Sequence, residues 1–449
     1  KANILIASCT ADRSIKKNKS TPVIPEKLRA KNLASLEMVD FVLIDENETP
    51  INNINIIKPD LYIKGYEYHS LKNQKTLDEK KAVEKYGGKT IFSPGDVIYS
   101  STNLKEKNSI KLPIDRMKEI MNSEKFDLKI LYDSINKFKK IKVHVVGDTI
   151  IDAYNECILL GQTNKTPTFS IKKTNTNLFV GGAAVVAKHL KSLGADVTFT
   201  TVLGNDHRAK YAISDLKKSK IKLNMIIDDL RPTTFKERFW VDNYKLLQVD
   251  ELENNIISDD KVLKISNYLK QRADVIVFSD FRHGIFNHST INTYLKSVSK
   301  NQIKVVDSQV SNRWGNILDF KNFDIIFPNE KEARFCLADQ DSPIRPLGEN
   351  LLKKSNSKNV ILKLSEKGAM CFRNKGYKPK EFFSIDSFAQ DVVDGVGAGD
   401  ALLASSTLSY VINKNIAQSL ILGTFSASIA CSRKGNYPIT NIELKKYIK

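Results

Sequence analysis

The segment DGVGAGD, residues 394–400, combines three glycines and two aspartates directly before an apolar stretch with helical character. Glycine adopts backbone conformations that other residues avoid and allows a ligand to approach the main chain. The first amides of a helix lack intrahelical acceptors, and the helix dipole adds partial positive charge. We therefore predict that Gly397, Ala398 and Gly399 form an anion hole for a phosphoryl group and that Asp400 deprotonates the attacking hydroxyl. An ordinary helix cap with closely packed glycines would produce the same pattern.

Two upstream segments supply groups suited to a polyol. VVGDTIIDAY ends a strand at Asp148 and places Asp152 four residues later, where its carboxylate could bind sugar hydroxyls. FVGGAA offers Gly181 and Gly182 at another helix start, which would permit a substrate to come close to the backbone. The alternative is that Asp148 is a loop residue and that the two glycines form a packing turn.

Two downstream segments have the features of a phosphate and metal site. IIFPNEKEARF places Asn329 and Glu332 at N-x-x-E spacing after a strand, where they could order a magnesium shell through water. LKLSEKGAMCF adds Gly368 in a turn between two strands. The N-x-x-E pair also fits a simple helix cap. The recurrence of such groups at successive strand ends favours a ligand site over a chance collection.

Short Ile- and Val-rich runs alternate with helical stretches along the chain, which predicts an α/β fold with a mainly parallel sheet. The pattern weakens into lysine-rich sequence around Pro113. We therefore predict an N-terminal domain over residues 1–104, a partly helical linker over 105–140 and a second α/β domain over 141–449.

Composition excludes several classes of protein. Lysine and arginine outnumber aspartate and glutamate by 70 to 51 in the 449 residues, giving a net charge of +19. The lysines are spread along the chain without a basic, aromatic-interleaved stripe, so we expect no nucleic-acid partner. No apolar run approaches the roughly 18–20 residues of a membrane span, so we expect no membrane partner. Five scattered cysteines indicate free thiols in a reducing compartment, so we expect a cytoplasmic protein. We also expect it to be a homodimer.

Residues 141–449 resemble the ribokinase-like (phosphofructokinase-B) carbohydrate kinases. Within that family they are most similar to the heptose-7-phosphate kinase module of bifunctional ADP-heptose synthases. The resemblance lies in VVGDTIIDAY, FVGGAA, LKSLGADVTFTTVLGND, PTTFKERF, NYKLLQVDE, VFSDFRHG, FPNEKE, SEKGA and DGVGAGD. It implies ATP-dependent, Mg²⁺-assisted phosphorylation of a sugar, here a sugar phosphate. It also implies a Rossmann-type three-layer sandwich with a small β lid.

The resemblance assigns roles to individual residues. Asp400 matches the family's base, and Gly397, Ala398 and Gly399 match its anion hole. The positions that match sugar contacts are Asp148, Asp152, Gly181, Gly182 and Asp280, and those that match the nucleotide and metal site are Asn329, Glu332 and Gly368, with Glu332 reaching the metal through water. Lys236 and Arg238, in the segment that matches the lid, suit the substrate's own phosphate. They fit plain surface charges on an alternating strand equally well.

The chain departs from the family pattern at several positions. The departures are Val396 for threonine, Val185 for asparagine, Ser308 and Gln309 in place of Pro-Lys, Arg282 and His283 in the usual SDYxKG, and Lys363 for threonine. The base and anion hole are retained while groups around the sugar and the phosphates differ. The identity of the sugar is therefore open. A kinase for another sugar or a nucleoside, and a non-catalytic sugar- or nucleotide-binding regulator, are the alternatives, although a regulator has no need of the base.

Residues 2–104 resemble the other half of the same bifunctional enzymes, a cytidylyltransferase-like domain that acts on heptose 1-phosphate. In that family the turn matching Ser100, Ser101 and Thr102 holds nucleotide phosphates, and a lysine near Lys16 reaches them. The family's H-x-G-H signature is absent here, since the first histidine is His69. We expect this domain to be incomplete at its N-terminus. The two domains together would make a nucleotide sugar for lipopolysaccharide or another surface polysaccharide from a nucleoside triphosphate and the kinase product.

Overall fold

The structure is a computed structural model that describes residues 3–15, 24–65, 74–93, 113–163, 166–309, 317–374, 381–389, 391–433 and 435–448. The chain divides into two compact units, Lys1–Ile110 and Lys111–Lys449. Both units are of α/β type.

The N-terminal unit contains two parallel strand pairs, β1 with β2 and β3 with β4, in the residues that the structure describes. Its described elements are β1 (Ile6–Thr10), α1 (Glu26–Ala34), β2 (Phe41–Asp45), α2 (Ile51–Ile57), β3 (Leu61–Gly65), α3 (Gln74–Glu84) and β4 (Lys89–Ser93). Several apolar strand residues are exposed, among them Phe41 at 61% and Ile63 at 54%.

A large, mainly parallel sheet forms the centre of the C-terminal unit. Its strands are β5 (Lys142–Gly147), β8 (Asp196–Leu203), β9 (Lys222–Ile227), β12 (Val275–Asp280), β13 (Ile303–Ser308), β14 (Ile325–Ile326), β15 (Asn359–Lys363), β16 (Ala369–Arg373) and β17 (Phe382–Ile385). The spatial order is β17-β16-β15-β14-β13-β12-β5-β8-β9, with β16 and β17 antiparallel to their neighbours. The predicted parallel α/β architecture is confirmed.

A second, smaller sheet forms the lid. Its strands are β6 (Thr149–Gln162), β7 (Phe169–Gly182), β10 (Phe235–Val241) and β11 (Tyr244–Glu251), in the order β11-β10-β6-β7. Only Asp148 separates the end of β5 from the start of β6, so the lid begins directly at the carboxyl edge of the large sheet. The small β lid expected from the sequence is present.

The large sheet is covered by helices on both faces. These helices are α4 (Pro113–Ser123), α5 (Leu128–Lys137), α6 (Ala183–Ser192), α7 (His207–Lys218), α8 (Asp259–Leu269), α9 (His288–Ser297), α10 (Glu330–Leu337), α11 (Ile344–Ser355), α12 (Ala398–Asn413), α13 (Ile416–Cys431) and α14 (Asn441–Ile448). Successive strand side chains point to opposite faces, so Val145 and Val146 belong to different core clusters. The result is the predicted three-layer sandwich.

The segment predicted to be a linker, residues 105–140, is largely part of the C-terminal unit. Its helices α4 and α5 bury Met117, Met121, Leu131 and Ile135 in the same core cluster as the β5 residue Val143. The lysines in the described part of this segment are exposed, on or beside the amphipathic helices, which explains why the sequence resembled a connector. None of the helices in the described ranges is long and apolar enough to cross a membrane.

Candidate active site

Four strands of the large sheet end in polar groups at one edge. β5 is followed by Asp148, β12 ends at Asp280, β13 ends with Asp307 and Ser308, and β15 ends at Lys363. In open parallel sheets the carboxyl ends of the strands form the ligand crevice. The polar residues at these separate strand ends therefore lie together along one edge of the large sheet.

The predicted anion hole is the N-terminus of α12. Gly397 caps the helix with φ of 81°, a left-handed conformation that favours glycine. A β-carbon on Gly397 would also overlap Asn436 Oδ1. Gly399 lies in the first turn, where amides have no acceptor one turn earlier. The backbone conformation therefore favours glycine at position 397, and a larger residue would also have to displace the Asn436 side chain.

Asp394 braces the loop that leads into this helix. Its Oδ1 accepts a hydrogen bond from the Val396 amide at 3.0 Å, and its Oδ2 accepts one from the Gly435 amide at 3.1 Å. The Asp394 amide in turn donates to the Cys431 carbonyl at 3.2 Å. The glycine-rich turn is thereby tied to the end of α13, which fixes the direction of the α12 amides.

Asp400 lies in the first turn of α12, partly buried. Its pKa is raised from 3.8 to about 7, mainly by burial; the charges of Asp307 and Asp152 also raise the pKa, and the charge of Lys363 lowers it. A carboxyl with a pKa near neutrality can accept a proton from a hydroxyl and release it again, as general base catalysis requires. The structure thus gives the predicted base an environment suited to that role.

Lys363 joins the site although the sequence analysis treated it only as a departure from a pattern. Its Nζ donates to Asp307 Oδ2 at 2.8 Å, and its side chain is 16% exposed. A β-carbon built on Gly399 would lie 3.7 Å from this Nζ. The available signal was the position itself, since Lys363 is the last residue of a strand that leads to the site.

The predicted sugar side brings Asp152 and Gly181 together across the β6–β7 hairpin. A β-carbon on Gly181 would overlap Asp152 Oδ2, so the glycine makes room for the carboxylate. Arg238 forms an ion pair with Asp152. Lys236 faces Asp152 from the neighbouring strand β10, and burial lowers its pKa although Asp250 and Asp152 act in the opposite direction. The two predicted phosphate ligands therefore lie beside the predicted sugar ligand.

Gly182 has a structural explanation of its own. It caps α6 with φ of 67°, and a β-carbon there would overlap the Asp148 carbonyl oxygen. The Ala183 amide donates to that same carbonyl at 2.8 Å. The glycine allows the hairpin to close against the end of β5.

Asp280, a predicted substrate ligand at the end of β12, belongs to a buried hydrogen-bond network. Its side chain is fully buried and accepts hydrogen bonds from Ser308 Oγ at 2.9 Å and from the Arg282 amide at 2.8 Å, and pairs with the Arg282 guanidinium at 3.1 Å. Burial raises its pKa. The local sequence did not reveal Arg282 and Ser308 as its partners, because Ser308 lies on the next strand.

Asp148 is buried beside this group and mainly organises the backbone. Its Oδ2 accepts hydrogen bonds from the Phe281 amide at 2.9 Å and the His283 amide at 3.4 Å. Burial and the charge of Asp280 raise the pKa of Asp148 to about 7. Asp148 therefore holds the turn after β12 in place, which extends its predicted role as a sugar ligand.

His283 is a further polar group near the sugar side that the sequence analysis did not assign. Its Nδ1 lies 2.8 Å from Asn254 Oδ1, which makes Nδ1 the protonated nitrogen. Within the described part of the chain, its buried Nε2 has no hydrogen-bond partner. Burial lowers its pKa to about 3, with Lys236 and Arg231 adding to the effect. The imidazole is therefore neutral at physiological pH.

Asn329 and Glu332 form a capping box at the start of α10. Asn329 Oδ1 accepts from the Glu332 amide at 2.8 Å, and Glu332 Oε2 accepts from the Asn329 amide at 2.7 Å. The helix-cap alternative is thus realised. Glu332 also lies close enough to Lys363 to raise the pKa of that lysine, so the capping box places a carboxylate near the groups predicted to bind phosphate.

Gly368, which was predicted to lie on the nucleotide side, is in the turn between β15 and β16. Gly368 has φ of 85°, and a β-carbon would overlap the Ile385 carbonyl, so packing under β17 accounts for the glycine. No group of three or more His, Cys, Asp or Glu side chains arranged for a metal occurs among the described residues. Asp307 Oδ1 is buried without a hydrogen-bond partner in the same set of residues.

The residues predicted to bind nucleotide in the N-terminal domain lie outside the described residues. These are Lys16, Ser100, Ser101 and Thr102. In the described part of this unit, Arg29 Nη2 donates to Asp12 Oδ1 at 2.5 Å and to the Thr10 carbonyl at 2.9 Å. Arg29 thereby links α1 to the end of β1.

Comparison with known sequences connects this site to a family. The model of the pfkB family carbohydrate kinases matches residues 140–442. The protein named bifunctional protein HldE from Geobacter sulfurreducens is 25% identical over 316 residues, covering 68% of this chain and 62% of the relative. Its namesake from Helicobacter pylori is 27% identical over 304 residues, covering 66% and 64%. The chain thus spans under two thirds of the length of these relatives.

Comparison with solved structures gives the same fold. Arabidopsis thaliana ribokinase complexed with ribose and ATP covers 69% of this chain and 99% of its own, with a TM-score of 0.55 and 20% identity. Escherichia coli phosphofructokinase-2 in complex with potassium covers 69% and 98%, with a TM-score of 0.56 and 14% identity. These likenesses establish a ribokinase-like fold for the C-terminal unit.

Proposed function

The chain belongs to the pfkB family of carbohydrate kinases, and we propose that it transfers the γ-phosphoryl group of ATP to a hydroxyl of a heptose 7-phosphate or a similar sugar phosphate. The observation that carries this proposal is the position of Asp400, a carboxyl with a pKa near 7 in the first turn of a glycine-capped helix. A helix cap alone has no need of a carboxyl with a pKa near neutrality, whereas a base does.

The proposed chemistry uses groups already placed by the fold. Asp400 accepts the proton of the attacking sugar hydroxyl, and the oxygen attacks the γ-phosphorus in line as the bond to ADP breaks. The main-chain amides at Gly397–Gly399 donate to the oxygens of the transferring group, where negative charge gathers. Such donors need no reorganisation during the reaction, because Asp394 and the helix hold them in place.

Magnesium fits the acidic groups at the phosphate side. Glu332, acting through water, and Asp307 Oδ1, a buried oxygen with no hydrogen-bond partner among the described residues, are hard oxygen donors of the kind that Mg²⁺ prefers. Magnesium would supply charge neutralisation on the nucleotide phosphates when bound. Glu332 is kept in orientation by its bond from the Asn329 amide.

The proposal of a phosphorylated sugar rests on the lid. Lys236 and Arg238 lie on β10 next to Asp152, so two cations adjoin the carboxylate that would bind sugar hydroxyls. Cationic donors suit a phosphate ester, and the curated relatives bear the name HldE. Because Arg238 pairs with Asp152, its guanidinium would donate both to the sugar hydroxyls bound there and to the phosphate of the same sugar.

The test is ATP consumption by the purified protein with a matched panel of acceptors. The panel contains an aldoheptose 7-phosphate, the same heptose without its phosphate, a hexose 6-phosphate and a nucleoside. We expect the heptose 7-phosphate to give the highest kcat/KM and the isosteric D400N variant to lose activity by about 100-fold or more. Turnover of the free heptose alone, or of the nucleoside alone, would refute the sugar-phosphate proposal.

We propose in addition that the N-terminal unit is a nucleotidyltransferase domain that activates the product of the kinase. This proposal rests on the resemblance of residues 2–104 and on the parallel α/β pairing of their described strands. The test is release of pyrophosphate from a nucleoside triphosphate in the presence of heptose 1-phosphate. Because D400N removes only the kinase step, pyrophosphate release that is equal in wild type and D400N would support a separate transferase site. No release from any nucleoside triphosphate would contradict the proposal.

A further inference from the structure

Lys363 is a held cation at the carboxyl end of β15. Its backbone amide donates to the Pro328 carbonyl at 2.8 Å, which fixes the strand end beside the start of α10. Its Nζ donates to Asp307 Oδ2 at 2.8 Å, and both side chains are largely buried, with 16% and 7% exposed. The ammonium is therefore anchored at a defined point and does not sample solvent freely.

This anchored ammonium lies next to the predicted anion hole. A β-carbon built on Gly399 would be 3.7 Å from Lys363 Nζ and 3.7 Å from its Cδ. The carboxylates of Asp307, Glu332 and Asp400 all act electrostatically on Lys363. The predicted base, the predicted anion hole and the metal-side carboxylate are therefore its neighbours.

The charge has donors to offer a ligand. An ammonium carries three N–H donors, and the bond to Asp307 uses one of them. The ammonium lies close to Gly399 at the N-terminus of α12, which also carries partial positive charge. A lysine placed only to neutralise Asp307 would need no such proximity to Gly399. Gln309, the residue that directly follows β13, is uncharged and so supplies no cation to this site.

We propose that Lys363 is a catalytic residue of this chain that binds the transferring phosphoryl group of ATP together with the amides at Gly397–Gly399. This inference rests on the proposed kinase function and adds a residue to its machinery. Asp307 acts as a positioning residue, because it holds the ammonium next to Gly399. The cation balances the negative charge that accumulates on the phosphoryl oxygens as the bond to ADP breaks.

The first test measures binding of Mg-ATP and Mg-ADP by calorimetry in the full-length protein without any sugar. The near-isosteric K363M variant removes the charge, and K363R keeps it. We expect K363M to bind ATP at least tenfold more weakly while its ADP affinity stays within twofold, because only ATP carries the γ-phosphoryl group. K363R should retain more of the preference for ATP than K363M. The matched control is K367M, which changes an exposed lysine in the turn that follows the same strand.

The second test separates contact with the phosphoryl group from simple neutralisation of Asp307. K363M leaves a buried carboxylate without its cation and could fold poorly, whereas the K363M/D307N double variant removes both charges. If Lys363 binds the phosphoryl group, the double variant binds ATP more weakly than D307N alone, and its kcat is about 100-fold below that of D307N. If Lys363 only neutralises Asp307, the double variant matches D307N in ATP affinity and kcat, which would overturn the proposal.

The outcomes distinguish this inference from the proposed function. ATP binding by K363M that equals or exceeds the wild-type value would show that the side chain merely fills the site. An equal loss of ATP and ADP affinity would likewise refute the role. A wild-type protein that binds ATP but phosphorylates none of the sugars would refute the sugar-kinase proposal. The ratio of ATP affinity to ADP affinity in K363M and wild type would still decide the role of Lys363.

Discussion

The pH dependence of the kinase gives the sharpest test of the site's electrostatics. Asp400 must be ionised to accept a proton, and its pKa is raised from 3.8 to about 7. Activity is therefore present above pH 7 and is lost as the pH falls. Between pH 8 and pH 5.5 the ionised fraction falls from about 0.9 to about 0.03, so kcat/KM should fall about 30-fold. A base with a pKa of 3.8 would be about 2% protonated at pH 5.5, and activity would hardly change.

The perturbation is D307N, which removes a negative charge near the base while keeping the shape of the side chain. Burial is the largest cause of the raised pKa, and the charges that also act on Asp400 are those of Asp307, Lys363 and Asp152. Loss of the Asp307 charge should lower the midpoint of the acid limb by about one pH unit. The fall in kcat/KM between pH 8 and pH 5.5 then shrinks to about fourfold.

K363M removes the opposing charge and should move the limb the other way. A rise of the midpoint by about one pH unit would make the fall between pH 8 and pH 5.5 about 150-fold. The two variants therefore predict displacements of opposite sign from one cluster of charges. The exposed pair D341N and K367M controls for the chemical changes at positions away from the site.

The assay is kcat/KM for the sugar phosphate from pH 5.5 to pH 9 with ATP held as its magnesium complex. A phosphate ester titrates near pH 6, but it does so equally with every variant. The displacement between variants, and not the midpoint itself, is therefore diagnostic. Limbs that coincide for wild type, D307N and K363M, or that move in the same direction for both variants, would refute the assignment of Asp400 as the titrating base.

Three substitutions test the surroundings of the base. G399A places a methyl group at ordinary contact distance from its neighbours, so its thermal unfolding should match that of the exposed control G395A. Its kcat should fall at least tenfold because the methyl group enters the anion hole, and equal kcat in both variants would contradict this. G181A would displace the Asp152 carboxylate, so in steady-state assays the KM for the sugar should rise about tenfold while the KM for ATP stays unchanged. A change in the KM for ATP alone would count against a role of Asp152 in binding the sugar. N329A removes half of the capping box and should lower the free energy of unfolding by about 1 kcal/mol in denaturant titrations, whereas no loss would show that the cap is dispensable.

The sequence by itself determined the parts of the site that are written in a few consecutive residues. The glycine that caps α12, the N-x-x-E capping box of α10 and the polar residues that end β5 and β12 are local features, because turns, caps and strand ends depend on neighbouring side chains. Apolar runs that alternate with helical stretches also predicted the parallel sheet, and the resemblance to the ribokinase-like kinases implied the lid. The helices of residues 113–137 were taken for a linker, because charge density in sequence does not show which face of a helix is buried.

Only the tertiary structure decided how these pieces act on one another. Lys363 and Asp307 are 56 residues apart in the chain and meet because their strands end at the same edge of the sheet. The raised pKa of Asp400 arises mainly from burial, which no local pattern encodes. The contact of Asp280 with Ser308 likewise joins two strands, and spacing along the chain did not predict it. Burial and contacts between distant residues are set by packing of the whole domain, so they were beyond the reach of residue spacing.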